Sequence, residues 1–128
     1  MSGNIANYAE TAIVDWLMGG ATPTRPSARY IALHTGDPTD AGSANELSGN
    51  GYARQSASFG AASSGSASNT GAVTFTASGG NFGTVAWCSI WDASTSGNCL
   101  WQGACTSKVI NDGDSYQFAI GALTVSVD

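Results

Sequence analysis

Tyr116, Phe118 and Ile120 alternate with Ser115, Gln117 and Ala119, and Leu123, Val125 and Val127 alternate with Thr124 and Ser126. A period of two places one set of side chains on a dry face and the other on a wet face of a β-strand, and no helix satisfies it. Shorter apolar segments of the same kind precede these: Val73 and Phe75, Val85 to Trp91, and Cys99 to Ala104, each bounded by Gly, Asn or Asp. Between them Asn111-Asp112-Gly113-Asp114 supplies a tight turn, because Asp-Gly tolerates the positive φ that such turns need. Five short strands in succession predict a mainly β fold, an antiparallel β-sandwich or small barrel.

The N-terminal segment follows another period. Ile5, Tyr8, Ala9, Ala12, Ile13, Trp16 and Leu17 recur at spacings of three and four, which predicts one α-helix over about residues 4–18 lying against the sheet. Gly19 and Gly20 end it, and the prolines at 23 and 26 keep the following stretch extended. The β-rich part then occupies about residues 28–128. Tyr30 to His34 reads as a strand closed by the turn residues Thr35 to Pro38, and Tyr52 to Phe59 as a second one. Asp40 to Gly51 is expected to be an exposed loop, and the Gly/Ser/Ala-rich stretch from Gly60 to Gly71 a flexible surface connector. In the segment from Val85 to Trp91 both faces are apolar, with Val85, Trp87 and Trp91 on one and Ala86, Cys88 and Ile90 on the other. Either the helix covers the second face of a central strand, or Trp87, Trp91 or Trp101 reaches a subunit interface, where large aromatics bury much area with few rotors.

A chain of 128 residues corresponds to a single domain over 1–128. Only 10% of its residues are charged, so much of the surface is built from Gly, Ser, Ala and Thr, which do little to repel neighbouring copies. The net charge of −5 and the scatter of Arg25, Arg29, Arg54 and Lys108 argue against nucleic acid, whose binding needs clustered basic groups. No apolar run approaches the ~20 residues that span a bilayer, and no secretory signal is expected, so synthesis in the cytoplasm without export and no membrane partner are predicted. Cys88, Cys99 and Cys105 are odd in number and lie in apolar surroundings, as suits buried thiols better than a disulfide framework.

The residues that carry chemistry elsewhere form no constellation here. His34 is the only histidine and has no partner at metal-ligand spacing, so a hydrogen-bonded structural role is expected. No nucleophile-elbow motif singles out one of the many serines, and the Gly/Ser stretch lacks a following Lys-Ser or Lys-Thr. Asp37, Asp40, Glu46, Asp112 and Asp114 match no calcium loop and read as turn carboxylates. Neither catalysis nor a cofactor or metal is expected. For a carbohydrate-binding module, a minor alternative, Trp101 beside Gln102 is the pair that would stack on and bond to a sugar.

Three runs taken in order carry a family resemblance: Tyr30-Ile31-Ala32-Leu33-His34-Thr35-Gly36-Asp37-Pro38-Thr39-Asp40-Ala41-Gly42, Asn45-Glu46-Leu47-Ser48-Gly49, and Gly51-Tyr52-Ala53-Arg54. Together with Ile90-Trp91-Asp92-Ala93, Gly97-Asn98-Cys99-Leu100 and the Gly113-Asp114 turn, the chain resembles small tailed-bacteriophage virion proteins, a group that includes tail-fibre-like and head decoration proteins. The three cysteines depart from that pattern, where apolar or small residues are usual. The resemblance implies a virion structural protein made in the host cytoplasm. With no repeat, heptad pattern or long N-terminal anchor, a capsid decoration (cement) protein on the capsid surface is expected, binding the major capsid protein as a homotrimer. The alternative is a tail-fibre-like subunit whose partners are tail proteins. The expected contact residues are Trp87, Trp91 and Trp101, with Asp40, Glu46 and Tyr52 in and beside the loop.

Overall fold

The computed structural model describes residues 2–127. The elements are β1 (Ser2–Ile5), α1 (Asn7–Met18), β2 (Arg29–His34), β3 (Gln55–Ala57), β4 (Ser66–Ser68), β5 (Val73–Thr76), β6 (Gly83–Trp91), β7 (Cys99–Ile110), β8 (Ser115–Phe118) and β9 (Thr124–Ser126). The fold is mainly β with one helix near the N-terminus, and every strand pairing is antiparallel. A five-stranded sheet runs in the order β1-β7-β6-β2-β3, and two ribbons, β4-β9 and β5-β8, complete the structure. The large sheet stays open, with β1 and β3 at its edges, so the fold is sandwich-like and not a closed barrel.

The core lies between the large sheet and the β5-β8 ribbon. Ile31, Leu33, Cys88, Ile90 and Trp101 from the sheet meet Val73, Phe75, Tyr116 and Phe118 from the ribbon, and Leu123 closes one end. Phe118 packs edge-on against both Phe75 and Tyr116, with ring centroids 6.5 and 5.2 Å apart, arrangements favoured by the ring quadrupoles. The predicted alternation is visible in β8, where Tyr116 and Phe118 are buried and Ser115 and Gln117 exposed. It stops there: Ile120 is 69 % exposed, because the chain leaves the strand after Phe118 and turns through Gly121 at φ 81°. The Asn111–Asp114 turn forms as read, with the Asp114 N–H donating to the Asn111 carbonyl at 2.9 Å and Gly113 at φ 85°.

Four expectations are corrected. The segment at 4–6 is not helical: β1 pairs Ile5 with Trp101 and Asn4 with Gln102, since the edge of β7 offers a full ladder where a frayed helix start offers none. The helix also does not close the sheet with its apolar stripe. Its half-buried residues are Ala9, Ala12 and Asp15, whereas Trp16, Leu17 and Met18 are 65, 59 and 77 % exposed. Within β6, an irregularity between Val85 and Trp87 adds a residue to the alternation and so turns Val85 into the same core as Cys88 and Ile90. The stretch from Gly60 to Gly71 is ordered as well: β4 pairs with β9, and buried Asn69 donates through Nδ2 to the Gly71 and Ala119 carbonyls while accepting the Leu123 N–H.

Candidate functional site

The loop between β2 and β3 leaves most of Asp40 to Gly51 exposed, as read from the sequence, but turns a few residues inward, Gly42 among them against the Trp91 and Cys99 side of the large sheet. Pro38, Gly42 and Leu47 are buried, and Leu47 N–H donates to the Leu33 carbonyl at 3.0 Å. Gly42 holds φ 75° with its α-carbon against Cys99 and Trp91, so any β-carbon there would overlap the Cys99 side chain. Ala6, Ala32, Trp91 and Cys99 form the small apolar cluster beneath.

Beside that cluster sits a buried polar chain. His34 Nδ1 lies 2.8 Å from the Ala44 carbonyl, His34 Nε2 lies 2.7 Å from Ser89 Oγ, and Trp91 Nε1 lies 2.7 Å from the same Oγ. A carbonyl can only accept, so Nδ1 carries the proton, the Ser89 hydroxyl donates to Nε2, and the indole N–H donates to Oγ. Burial is the main influence on the imidazole and lowers its pKa from the ordinary 6.5, leaving it neutral. A Ser–His contact of this length invites comparison with a nucleophile and its base. Here both residues are fully buried, and the partner of Nδ1 is a backbone carbonyl in place of a carboxylate. The pair has no route to a substrate and serves as the structural histidine read from the sequence.

Glu46, Tyr52 and Arg54 form a clamp at the end of the same loop. Arg54 donates from Nε and Nη2 to the two Glu46 oxygens, each at 2.9 Å, and from Nη1 to the carbonyls of Ala93 and Ser96. Its guanidinium carbon lies 4.0 Å from the centroid of the Trp91 ring, and the Tyr52 hydroxyl donates to Glu46 Oε2 at 2.7 Å. Burial pushes the Glu46 carboxyl up, but the Arg54 and Tyr52 hydrogen bonds outweigh it and hold the pKa below its ordinary 4.5. Tyr52 is wedged between Phe75, stacked at 6.2 Å, and Phe82, edge-on at 6.0 Å. The clamp ties the 46–54 segment to the β6–β7 hairpin, whose turn is fixed by the Asp92 carboxylate accepting from Asn98 N and Nδ2 at 2.7 and 2.9 Å.

The six expected contact residues are therefore dispersed. Trp91 and Trp101 are 6 and 4 % exposed and belong to the interior, Trp87 is half-buried, Glu46 and Tyr52 are engaged in the clamp, and the Asp40 side chain is exposed. The Asp40 carbonyl accepts the Asn7 N–H at 3.2 Å, which docks the loop on the start of α1. Trp101 and Gln102 lie inside the protein, with Trp101 Nε1 and Gln102 Oε1 lacking a partner among the described residues, so the pair offers no sugar-stacking surface. Among the described residues no three His, Cys, Asp or Glu side chains cluster in a way that could hold a metal ion. The acidic turn residues accept backbone N–H groups: Asp37 Oδ1 that of Thr39 and Asp114 Oδ2 that of Asn111 within their own turns, and Asp112 Oδ1 that of Gly79 in the adjacent turn. No disulfide joins the cysteines. The Cys88 and Cys105 thiols hydrogen-bond to each other, which together with burial keeps Cys88 protonated, and burial pushes the Cys99 thiol up to about 11.

What the surface does present is apolar. Tyr8, Val14, Trp16, Leu17 and Met18 stand exposed on α1, and a groove of about 520 Å³ runs between the helix and the Pro23–Arg29 segment. Sequence reasoning found Tyr8, Trp16 and Leu17 through their period but assigned them to the interior, and Val14 and Met18 lie outside that stripe. The Arg54 anchor was missed, although Tyr52 and Arg54, two residues apart in an extended stretch, share one side of the chain. Compared with known proteins, the chain matches over residues 4–126 the family described as podophage GP4 fiber I protein gp80. No curated protein matches it.

Proposed function

The chain belongs to the podophage GP4 fiber I protein gp80 family, and from that premise we propose that this phage virion structural protein is a tail-fibre-like subunit that acts without catalysis and self-associates as a homotrimer. The family match over nearly the whole chain carries the reading, because it favours a fibre role above the capsid decoration expected from compactness alone. The closed Ser89–His34 pair supports a non-enzymatic role, and the interior position of Trp101 and Gln102 removes the argument for a carbohydrate-binding module. The capsid decoration reading keeps one observation in its favour: the described residues form a sandwich-like body of short strands and not a long shaft, a shape suited to clamping neighbouring coat subunits. Reconstruction of intact particles with this chain traced in place tests both. Density for the chain on the tail or its fibres is the expected result, and density on the capsid shell transfers the assignment to decoration.

A further inference from the structure

We propose that the exposed apolar face of α1, with the grooves that flank it, is the surface through which one copy of this chain binds the next. The inference rests on the self-associating reading above and names its contact surface.

An amphipathic helix ordinarily buries its apolar stripe, and in this fold Ala9 and Ala12 turn inward while Tyr8, Ile13, Trp16 and Leu17 of the same stripe stay exposed. The surface is continuous. Ala9, Ile13, Arg29 and Leu100 line both the groove against the Pro23–Arg29 segment and a second groove, on whose far wall stand Phe59 and Val127. Tyr8, Trp16, Leu17 and Ile13, from 37 to 65 % exposed along one half of the helix, amount to several hundred Å², a large part of the ~800 Å² that each partner gives to a stable interface. A contiguous patch of that size is uncommon on a soluble monomer.

Charge selects the occupant. The helix carries Glu10 and Asp15 and no basic residue, while the first groove is lined by Arg25 and Arg29, half of the chain's four basic side chains. Among the described residues the ion pair formed is Arg54–Glu46, so neither helix acid nor groove arginine is paired within the chain. A second copy supplies both halves of the match. Its apolar stripe seats in the groove, and its Glu10 and Asp15 come to Arg25 and Arg29, with the same contact repeating around a closed ring.

Sedimentation of the full chain tests this with two sets of variants. The wild type is expected to sediment as a trimer. Trp16→Glu with Leu17→Glu should weaken association by ~30-fold or more, the effect of losing hot-spot side chains, with an unchanged far-UV spectrum because both side chains are exposed. Glu10→Lys with Asp15→Lys should also weaken it, and adding Arg25→Glu with Arg29→Glu should restore it. If the first variant loses its spectrum, the charge reversal and its rescue decide. A trimer that both variant sets leave intact overturns this surface and leaves the trimer standing, whereas a wild-type monomer at all concentrations overturns both. A monomer whose helix becomes protected only on adding another virion protein assigns the face to that partner and likewise overturns the proposal.

Discussion

Glu46 accepts three hydrogen bonds, two of them from Arg54, and sits beside a sheet face that water does not reach. Removing Arg54 would leave a half-buried carboxylate with only Tyr52 to hold it and uncover the Trp91 ring. Arg54→Ala is therefore expected to cost ~2–4 kcal/mol in chemical denaturation, far more than an exposed ion pair is worth. The titration of two groups sets an acid limit. The His34 pKa is lowered by burial, so the unfolded chain takes up a proton below about 6.5 that the native state refuses, and stability falls as pH drops from 7 through the depressed native value. The Glu46 pKa lies below its ordinary 4.5, so its contribution is present above 4.5 and is lost as pH falls through the native value. Unfolding free energy measured against pH should show the two losses in that order. Because His34 is the only histidine, His34→Gln should flatten the first while leaving the second. Gly42 is a third sensitive residue: Gly42→Ala combines a positive φ with overlap on Cys99, and should cost at least ~1–3 kcal/mol in the same measurement.

At the scale of elements, the contrast between α1 and the β5-β8 ribbon gives a direct comparison. Leu17 is exposed and Phe75 is 2 % exposed, so Leu17→Ala should change the stability of the isolated chain by no more than about 0.5 kcal/mol, while Phe75→Ala should cost ~3–5 kcal/mol. Denaturant midpoints of the two variants at low protein concentration check this. The helix is short and stops cleanly, with Gly19 at φ 84° and its N–H on the Asp15 carbonyl. Its start is set from outside, by Ala6 N–H on the Leu100 carbonyl and Asn7 N–H on the Asp40 carbonyl, since Ala6 provides no side-chain cap. Helix and loop are thus joined at one point, which positions the apolar stripe without covering it.

For the whole molecule, self-association predicts a melting temperature that rises with protein concentration, because a contact made only by folded chains stabilises them by mass action. Calorimetric or spectroscopic melts over a hundredfold range of concentration check it, and Trp16→Glu should abolish the dependence. The alternation of β5 and β8, the glycine stop after the helix and the Asp-Gly turn were legible in the sequence, because each depends on neighbours within a few residues, whereas Ile120 and Val127, read as dry-face residues, are 69 and 54 % exposed. The apolar character of α1, Trp91 and Trp101 was legible too, but not which of them would be inside. That was decided by long-range pairing: β1 captured residues 2–5 for the edge of β7, an irregularity in β6 moved Val85 into the core, and β9 drew Ser66–Ser68 out of an apparently featureless connector. Periodicity tells a side chain's face relative to its neighbours along the chain. Which face meets protein and which meets solvent depends on segments tens of residues away, and so the outward stripe of α1 and the Glu46–Arg54–Trp91 clamp exist only once the sheets are assembled.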